Sequence, residues 1–251
     1  MVGRAAALLA VGTPLGLYYA FHERLWSAPL WWDIAFLSLV LMPACFGLVL
    51  IVLPLRTWRW TIVLAVLFGV LALVFHVVGW STPENFCKLF GVTAVGFWFL
   101  GYFETLSWVV LVALIIPWVD AYSVFAPRGP TNVIVNQHRH VFTTFSFAFP
   151  IPGETGAANL GLPDLLFFAL FLAAAARFAL RPGSTWLLMT FSFGVTLAIA
   201  AVWRGGLPAL PLLALSFLLA NADLIWTRFK QAEPGARFGR TERRSSGHSE
   251  P

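Results

Sequence analysis

Residues 159–168 carry the sequence NLGLPDLLFF, which opens an apolar run that continues to Leu180. Asp164 lies four residues into that run, where lipid or packed protein is expected. An ionisable group at the centre of a membrane helix costs about 2.5–3.5 kcal/mol, so such a residue usually has a function and a partner. The best partner is Asp120, near the end of the preceding apolar run. A third segment, residues 206–211 with the sequence GLPALP, opens the last apolar run.

The composition is that of a membrane protein. Of the 251 residues, 59% are hydrophobic and 11% are charged, whereas a soluble domain carries about 25% charged residues. Most of the net charge of +5 lies in the C-terminal tail, which indicates membrane topology or contact with anionic headgroups rather than nucleic-acid binding. The only cysteines, Cys45 and Cys87, offer neither a disulfide framework nor metal-ligand spacing. We expect no metal and no organic cofactor.

The apolar runs predict an all-α, polytopic membrane bundle of about eight transmembrane helices, because each run is long enough for one span. The first run follows a basic start as in a signal peptide, but no clear Ala-x-Ala site follows it, so we predict an uncleaved span. We divide the chain into N-terminal transmembrane helices (1–105), a catalytic-like transmembrane region (106–226) and a disordered basic tail (227–251). The predicted spans are 5–21, 34–55, 60–80, 86–102, 106–125, 160–180, 185–203 and 207–226.

The only long loop between spans covers residues 126–158 and is rich in proline and glycine. Its centre, 131–149, predicts a short hairpin or an extended segment at the membrane surface. Asp33 follows two tryptophans and is predicted to be a solvated residue at the membrane rim. His76 is predicted to be a rim or packed residue, and the histidines of 138–140 are predicted to be solvated rather than metal ligands.

The basic residues predict the orientation, because cytoplasmic loops carry the excess of lysine and arginine. With eight spans both termini share one side, and that side holds eleven of the 16 basic residues. We therefore predict cytoplasmic termini, an outward-facing long loop and a location in the plasma membrane. The eleven are Arg4, Arg56, Arg59, Arg177, Arg181, Arg228, Lys230, Arg237, Arg240, Arg243 and Arg244.

This orientation brings the three segments to a similar depth in the outer half of the membrane. At 1.5 Å per residue, Asp120 lies roughly 7 Å below Phe125 and Asp164 roughly 6 Å below Leu160, and 208–211 fall in the first turns of the last helix. Two nearby carboxyl groups cannot both ionise, so they share a proton. Such a pair can activate a water molecule and protonate a leaving amine.

Prolines and a glycine surround the expected carboxyl pair. Pro163 suits the first turn of a helix, Gly161 adds backbone freedom, and Pro208 and Pro211 weaken the start of the last helix. Backbone that leaves its helix within the membrane must line a cavity or be buried in protein. A peptide could therefore be received here as an extended strand.

In their order and spacing, the three segments resemble the presenilin and signal peptide peptidase family of intramembrane aspartyl proteases, of the GxGD type, and the chain resembles a divergent, prokaryotic-like member. That family carries Tyr-Asp on one helix, Gly-x-Gly-Asp on the next and Pro-Ala-Leu at the start of the last. The corresponding residues here are Val119-Asp120, then Gly161-Leu162-Pro163-Asp164, then Pro208-Ala209-Leu210. Val119 replaces the tyrosine, Pro163 replaces the second glycine, and the family usually has nine spans.

The resemblance implies that Asp120 and Asp164 are the catalytic residues of a protease. It also implies that the neighbouring residues shape the site and hold the substrate backbone. The implied partners are transmembrane or signal-peptide helices within the lipid bilayer, with no nucleic acid. The implied site-shaping residues are Gly161, Leu162, Pro163, Pro208, Ala209 and Leu210.

Three alternatives stay open. A non-catalytic relative of the same fold would bind membrane helices or lipids, and a proton-coupled transporter would also use paired intramembrane carboxyls, although no inverted repeat relates the two halves. Asp164 could also simply cap its own helix. This explanation suits Asp120 less well, because the C-terminal end of a helix disfavours negative charge.

Overall fold

The computed structural model describes residues 2–127, 129–131, 139–203 and 207–232. Gly206, His138 and the tail from residue 233 therefore lie outside the described residues. The described chain forms ten α-helices and one β-hairpin, and their bounds follow in chain order. They are α1 Val2–Phe21, α2 Leu30–Phe36, α3 Met42–Val52, α4 Thr61–Val78, α5 Ser81–Phe99, α6 Leu106–Phe125, α7 Arg139–Thr144, β1 Ser146–Pro150, β2 Ala157–Gly161, α8 Leu162–Arg177, α9 Pro182–Trp203 and α10 Leu210–Ala232.

The expected polytopic helical bundle is present. Within the described residues, six helical segments are long and apolar enough to cross a membrane: those containing α1, α2 with α3, α4, α6, α9 and α10. The other two predicted spans are helical, but α8 is too short and α5 too polar at its start to count as a membrane-spanning helix on its own. α8 has only 16 residues, and the first turns of α5 carry Glu84, Asn85 and Lys88.

The second span is continuous from Leu30 to Thr57 but is irregular in its middle. A π-helical turn, Leu37–Leu41, separates α2 from α3. Pro43 lies two residues after this turn and has no backbone N–H to donate to it, which is a common cause of such a break. The turn fits closely against α9, because a Cβ added at Gly194 would lie 2.9 Å from the Cβ of Ser38.

α8 is the central helix of the bundle. Leu165 and every residue from Phe168 to Ala175 are at most 2% exposed. Phe168 stacks on Phe46 with the ring centres 4.5 Å apart, and Phe171 stacks on Phe217 at 4.8 Å. α8 is therefore covered by protein on all sides, which explains how a helix too short for a typical span can lie in the bundle.

The hairpin differs in position from the expected one. The sequence predicted it within 131–149, but β1 pairs in antiparallel fashion with Ala157–Gly161. The turn between the strands holds Pro152 and Gly153, and Gly153 has the left-handed φ of +70° that a glycine adopts without strain. The predicted hairpin ended before Pro152 and Gly153, whereas these two residues lie in the turn that joins β1 to β2.

The expectation for Asp33 was wrong, since this residue is only 6% exposed rather than solvated. Its Oδ1 has no hydrogen-bond partner in the described part of the chain. The hairpin turn explains the burial, because it docks on the connection between α1 and α2. There the N–H of Gly153 donates to the carbonyl of His22 at 2.8 Å.

The two ends of the bundle have different contacts. At one end, Tyr18 of α1 donates to the Pro150 carbonyl of the hairpin at 2.7 Å. At the other end, Arg177 of α8 donates to the Leu100 carbonyl at 2.7 Å and Arg56 reaches the Ala176 carbonyl at 3.5 Å. Both arginines bind carbonyls at helix ends, where the last carbonyls lack a complete set of helical partners; the Leu100 carbonyl also accepts the Phe103 N–H at 3.1 Å. The hairpin and the basic contacts therefore lie at opposite ends of the bundle.

Candidate active site

Asp120 lies five residues before the end of α6 and is half-buried. Trp118 and Tyr122 on the same helix are 78% and 68% exposed, so α6 presents its aromatic residues outward. Asp120 instead contacts α10, because its Oδ2 accepts a hydrogen bond of 3.0 Å from the N–H of Leu210. Pro117, one turn earlier inside α6, cannot donate a helical hydrogen bond and weakens this part of the helix.

Asp164 is the third residue of α8, in its first turn. Gly161 precedes the helix in an extended conformation, and its backbone N–H faces the Asp164 carboxyl group. The contact is close, since a Cβ added at Gly161 would lie 3.1 Å from Oδ2 of Asp164. Pro163 occupies the first turn of α8, where its missing N–H leaves no helical bond unmade.

The start of α10 closes the site from a third direction. Residues 207–209 are not helical, and the helix begins at Leu210. Ala209 and Leu210 are 5% and 4% exposed, and both backbone N–H groups are directed to the carboxyl group of Asp120. The first N–H groups of a helix have no partner within it and favour a negative charge. Asp120 supplies that charge.

The two carboxyl groups are near enough for the charge of Asp120 to act on Asp164. They come from α6 and α8, which are in contact, and α10 packs against both helices. The structure thus brings the predicted site residues together at the hairpin end of the bundle. It does not test their catalytic and site-shaping roles, which stay predictions. Within the described residues, no group of three or more side chains is arranged to hold a metal ion.

Asn85 holds the hairpin that leads to the site, a role for which the sequence contains no motif. Its Nδ2 donates to the Ala148 carbonyl at 2.7 Å, and the Ala148 N–H donates to its Oδ1 at 2.9 Å. Tyr19 donates to the same carbonyl at 2.9 Å. The carboxamide of Asn85 therefore bonds the outer edge of β1 as a neighbouring strand would. The one available signal was a polar residue near the start of an apolar helix.

These features define a class: a multi-pass helical membrane protein with a pair of interacting carboxyl groups on neighbouring helices. A comparison with known proteins supports a more particular relationship. The chain is 29% identical over 110 residues to Presenilin-B of Dictyostelium discoideum, a match that covers 42% of this chain and 23% of that protein. The chain thus matches less than a quarter of that relative's length. No family model matches the chain. The expected resemblance to the presenilins is confirmed over this part of the chain.

Proposed function

We propose that this presenilin-like membrane protein is an intramembrane aspartyl protease that cleaves transmembrane or signal-peptide helices. The observation that carries the proposal is the meeting of Asp120 and Asp164 beside the first residue of α10. In the proposed site the two carboxyl groups, on contacting helices, share one proton, because two neighbouring carboxyl groups do not both ionise. The sharing provides a base and an acid in one site, as peptide hydrolysis by an aspartic dyad requires.

The surroundings distinguish the two carboxyl groups. Two backbone N–H groups, those of Ala209 and Leu210, favour the ionised form of Asp120, whereas one, that of Gly161, lies beside Asp164, so Asp164 carries the shared proton. In the proposed reaction, Asp120 takes a proton from a water molecule whose oxygen attacks the peptide carbonyl. Collapse of the tetrahedral intermediate breaks the C–N bond, and the nitrogen receives a proton from the pair. Water is consumed, and the products are a carboxyl group and an amine.

The hairpin offers a way to present an extended peptide to this pair. Asn85 and Tyr19 occupy the outer edge of β1, whereas the backbone N–H and carbonyl of Asn159 in β2 have no partner among the described residues. A peptide strand could pair with that edge by β-augmentation. β2 ends at Gly161, three residues before Asp164. A peptide on this edge would therefore extend toward the carboxyl pair.

One contact favours a second candidate, a non-catalytic relative of the same fold that binds membrane helices. The carboxyl group of Asp164 faces the N–H of Gly161, which is the arrangement of a capping residue at a helix start. Capping accounts for Asp164 but not for its proximity to Asp120. The protease therefore explains more of the site.

The test compares purified wild type with Asp120→Asn and Asp164→Asn in liposomes, using a labelled single-span substrate. Wild type should cleave it, and each variant should lose cleavage almost completely, because residues that act as a unit give single losses as large as the double. Comparable turnover in either variant contradicts the dyad. A wild type without cleavage, together with poor accumulation of Asp164→Asn, supports the capping alternative.

A further inference from the structure

A cavity of about 360 Å³, lined mainly by residues with polar side chains, lies against one face of the hairpin. The side chains of a strand alternate between its two faces, and in this hairpin the faces differ. Phe147, Phe149 and Leu160 point into the core, where they are at most 9% exposed. The opposite face lines the cavity with Ser146, Ala148, Pro150, Ala157 and Asn159.

The remaining walls of the cavity come from the ends of α1, α4, α5 and α7 and from the hairpin turn, and the first three of these helices contribute charged groups. Lys88 lies 2.6 Å from Oε1 of Glu84, and His76 lies 3.1 Å from the same oxygen. Glu23 also lines the cavity and has no ion pair in the part of the chain that the structure describes. With neutral histidines, the charged side chains in the lining, Glu23, Glu84 and Lys88, sum to a charge of −1.

The cavity borders β2, the strand on whose outer edge the proposed function places a peptide. Ala157 and Asn159 belong both to that strand and to the cavity wall. Directly paired residues on adjacent strands point to the same face of a sheet. A peptide residue paired with Asn159 would therefore direct its side chain toward the cavity, and the residues on either side of it would point the other way.

We propose that this cavity is a specificity site that accepts a lysine or arginine side chain of an extended peptide strand paired with β2. Its lining complements such a side chain, because it has one excess negative charge and carries hydroxyl and amide groups that can bind the charged head. The inference rests on the proposed function for the presence of a peptide on β2. It adds a charge preference that applies to every second residue of that peptide.

Binding to the Asp164→Asn variant tests the preference without requiring cleavage. Single-span peptides would carry lysine, serine or glutamate at each of four successive positions in the flank nearest the hairpin. Their affinities would be measured by fluorescence in phosphatidylcholine nanodiscs, which contain no competing primary ammonium headgroup. We expect lysine to bind about threefold to tenfold more tightly than glutamate at alternate positions only. Glu23→Lys should reverse that order at the same positions.

The matched control is Glu104→Lys, which makes the same charge change at an exposed residue between α5 and α6, outside the residues that line the cavity. It should leave the alternating preference in place. Equal lysine preference at all four positions, no preference, or no reversal by Glu23→Lys would each overturn the cavity assignment. Cleavage of the serine peptide by wild type is read separately. If wild type cleaves this peptide but binding shows no charge preference, the protease proposal stands and the cavity proposal fails. If binding shows the alternating preference but wild type does not cleave, the cavity proposal stands and the protease proposal fails.

Discussion

Leu210 and Asp120 are joined by a 3.0 Å hydrogen bond from the first backbone N–H of α10 to a carboxylate oxygen of α6. The residues are 90 positions apart in the sequence, so the bond fixes the start of the last helix against the candidate site. The bond gives the segment 208–210 a physical role. Its donors are backbone N–H groups at a helix N-terminus, so they do not depend on which side chains the segment carries, proline excepted.

The Leu210 N–H predicts that two substitutions at this residue have different effects on catalysis. Leu210→Ala keeps the donor, so turnover per folded molecule should stay near that of wild type. Leu210→Pro removes the donor at a helix position where proline is tolerated. A hydrogen bond to a charged group contributes about 1.5–3 kcal/mol, so turnover should fall roughly tenfold to a hundredfold.

The measurement is the rate of cleavage per folded molecule for wild type and both variants. Both variants lose part of the buried Leu210 side chain, so each controls for the packing loss in the other. Equal losses of turnover in Leu210→Ala and Leu210→Pro would show that catalysis depends on the Leu210 side chain rather than on its backbone N–H.

Gly96 predicts a packing requirement between α5 and α8. A Cβ added there would lie 2.9 Å from the Leu166 carbonyl and 3.0 Å from the Cβ of Ala169. Gly96→Ala should lower stability by about 1–3 kcal/mol, because the helices would have to separate. The control is Gly69→Ala in α4, which meets nothing within 4 Å. Thermal unfolding in detergent would check both variants, and an equal effect at the two sites would refute the close crossing.

Ala179 predicts a stabilising substitution. It follows α8 with a left-handed φ of 47°, and the Leu180 N–H donates back to the Ala175 carbonyl at 2.8 Å. This is the helix ending in which glycine is preferred. Ala179→Gly should raise stability by about 1 kcal/mol. Ala174→Gly, inside the same helix, should lower it by a similar amount. Unfolding midpoints of the two variants that shift in the same direction would contradict this account.

The two hydrogen bonds between the Asn85 carboxamide and Ala148 should stabilise β1. Asn85→Leu keeps a similar volume but leaves the N–H of Ala148 without its partner, at a cost of about 1–3 kcal/mol. Hydrogen exchange at Ala148 should therefore become faster, whereas exchange in the buried centre of α8 should not change. Tyr18→Phe, which removes one bond to Pro150, is the milder control. Unchanged protection of Ala148 in Asn85→Leu would show that Tyr19 alone holds the strand.

The sequence predicted the features that depend on local pattern. Apolar runs indicated the helices, and intramembrane carboxyl groups stood out at Asp120 and Asp164 because such residues are rare in membrane spans. The features it missed depend on contacts between distant segments. Asp33 is buried because the hairpin turn docks beside it, and Asn85 matters because β1 lies against α5. Neither relationship has a periodic signal in the sequence, because the contacting residues are 63 positions apart in the case of Asn85 and Ala148.

The arrangement of the helices predicts the membrane topology of the chain. Thr155 lies in the exposed hairpin turn, and Thr57 is exposed at the end of the second span, close to the opposite, arginine-bearing end of the bundle. In intact cells, a membrane-impermeant thiol reagent should label Thr155→Cys and should label Thr57→Cys only after the membrane is opened. The native Cys45 and Cys87 are buried and should give little background, which the unsubstituted protein would measure.

The same experiment tests the proposed cytoplasmic position of the termini, because α1 ends at the hairpin and α10 begins beside Asp120. Labelling of Thr57→Cys alone in intact cells would invert the proposed orientation. Labelling of both would show that the two positions share one side, which contradicts the three crossings, by α4, α5 and α6, that separate them in the proposed topology.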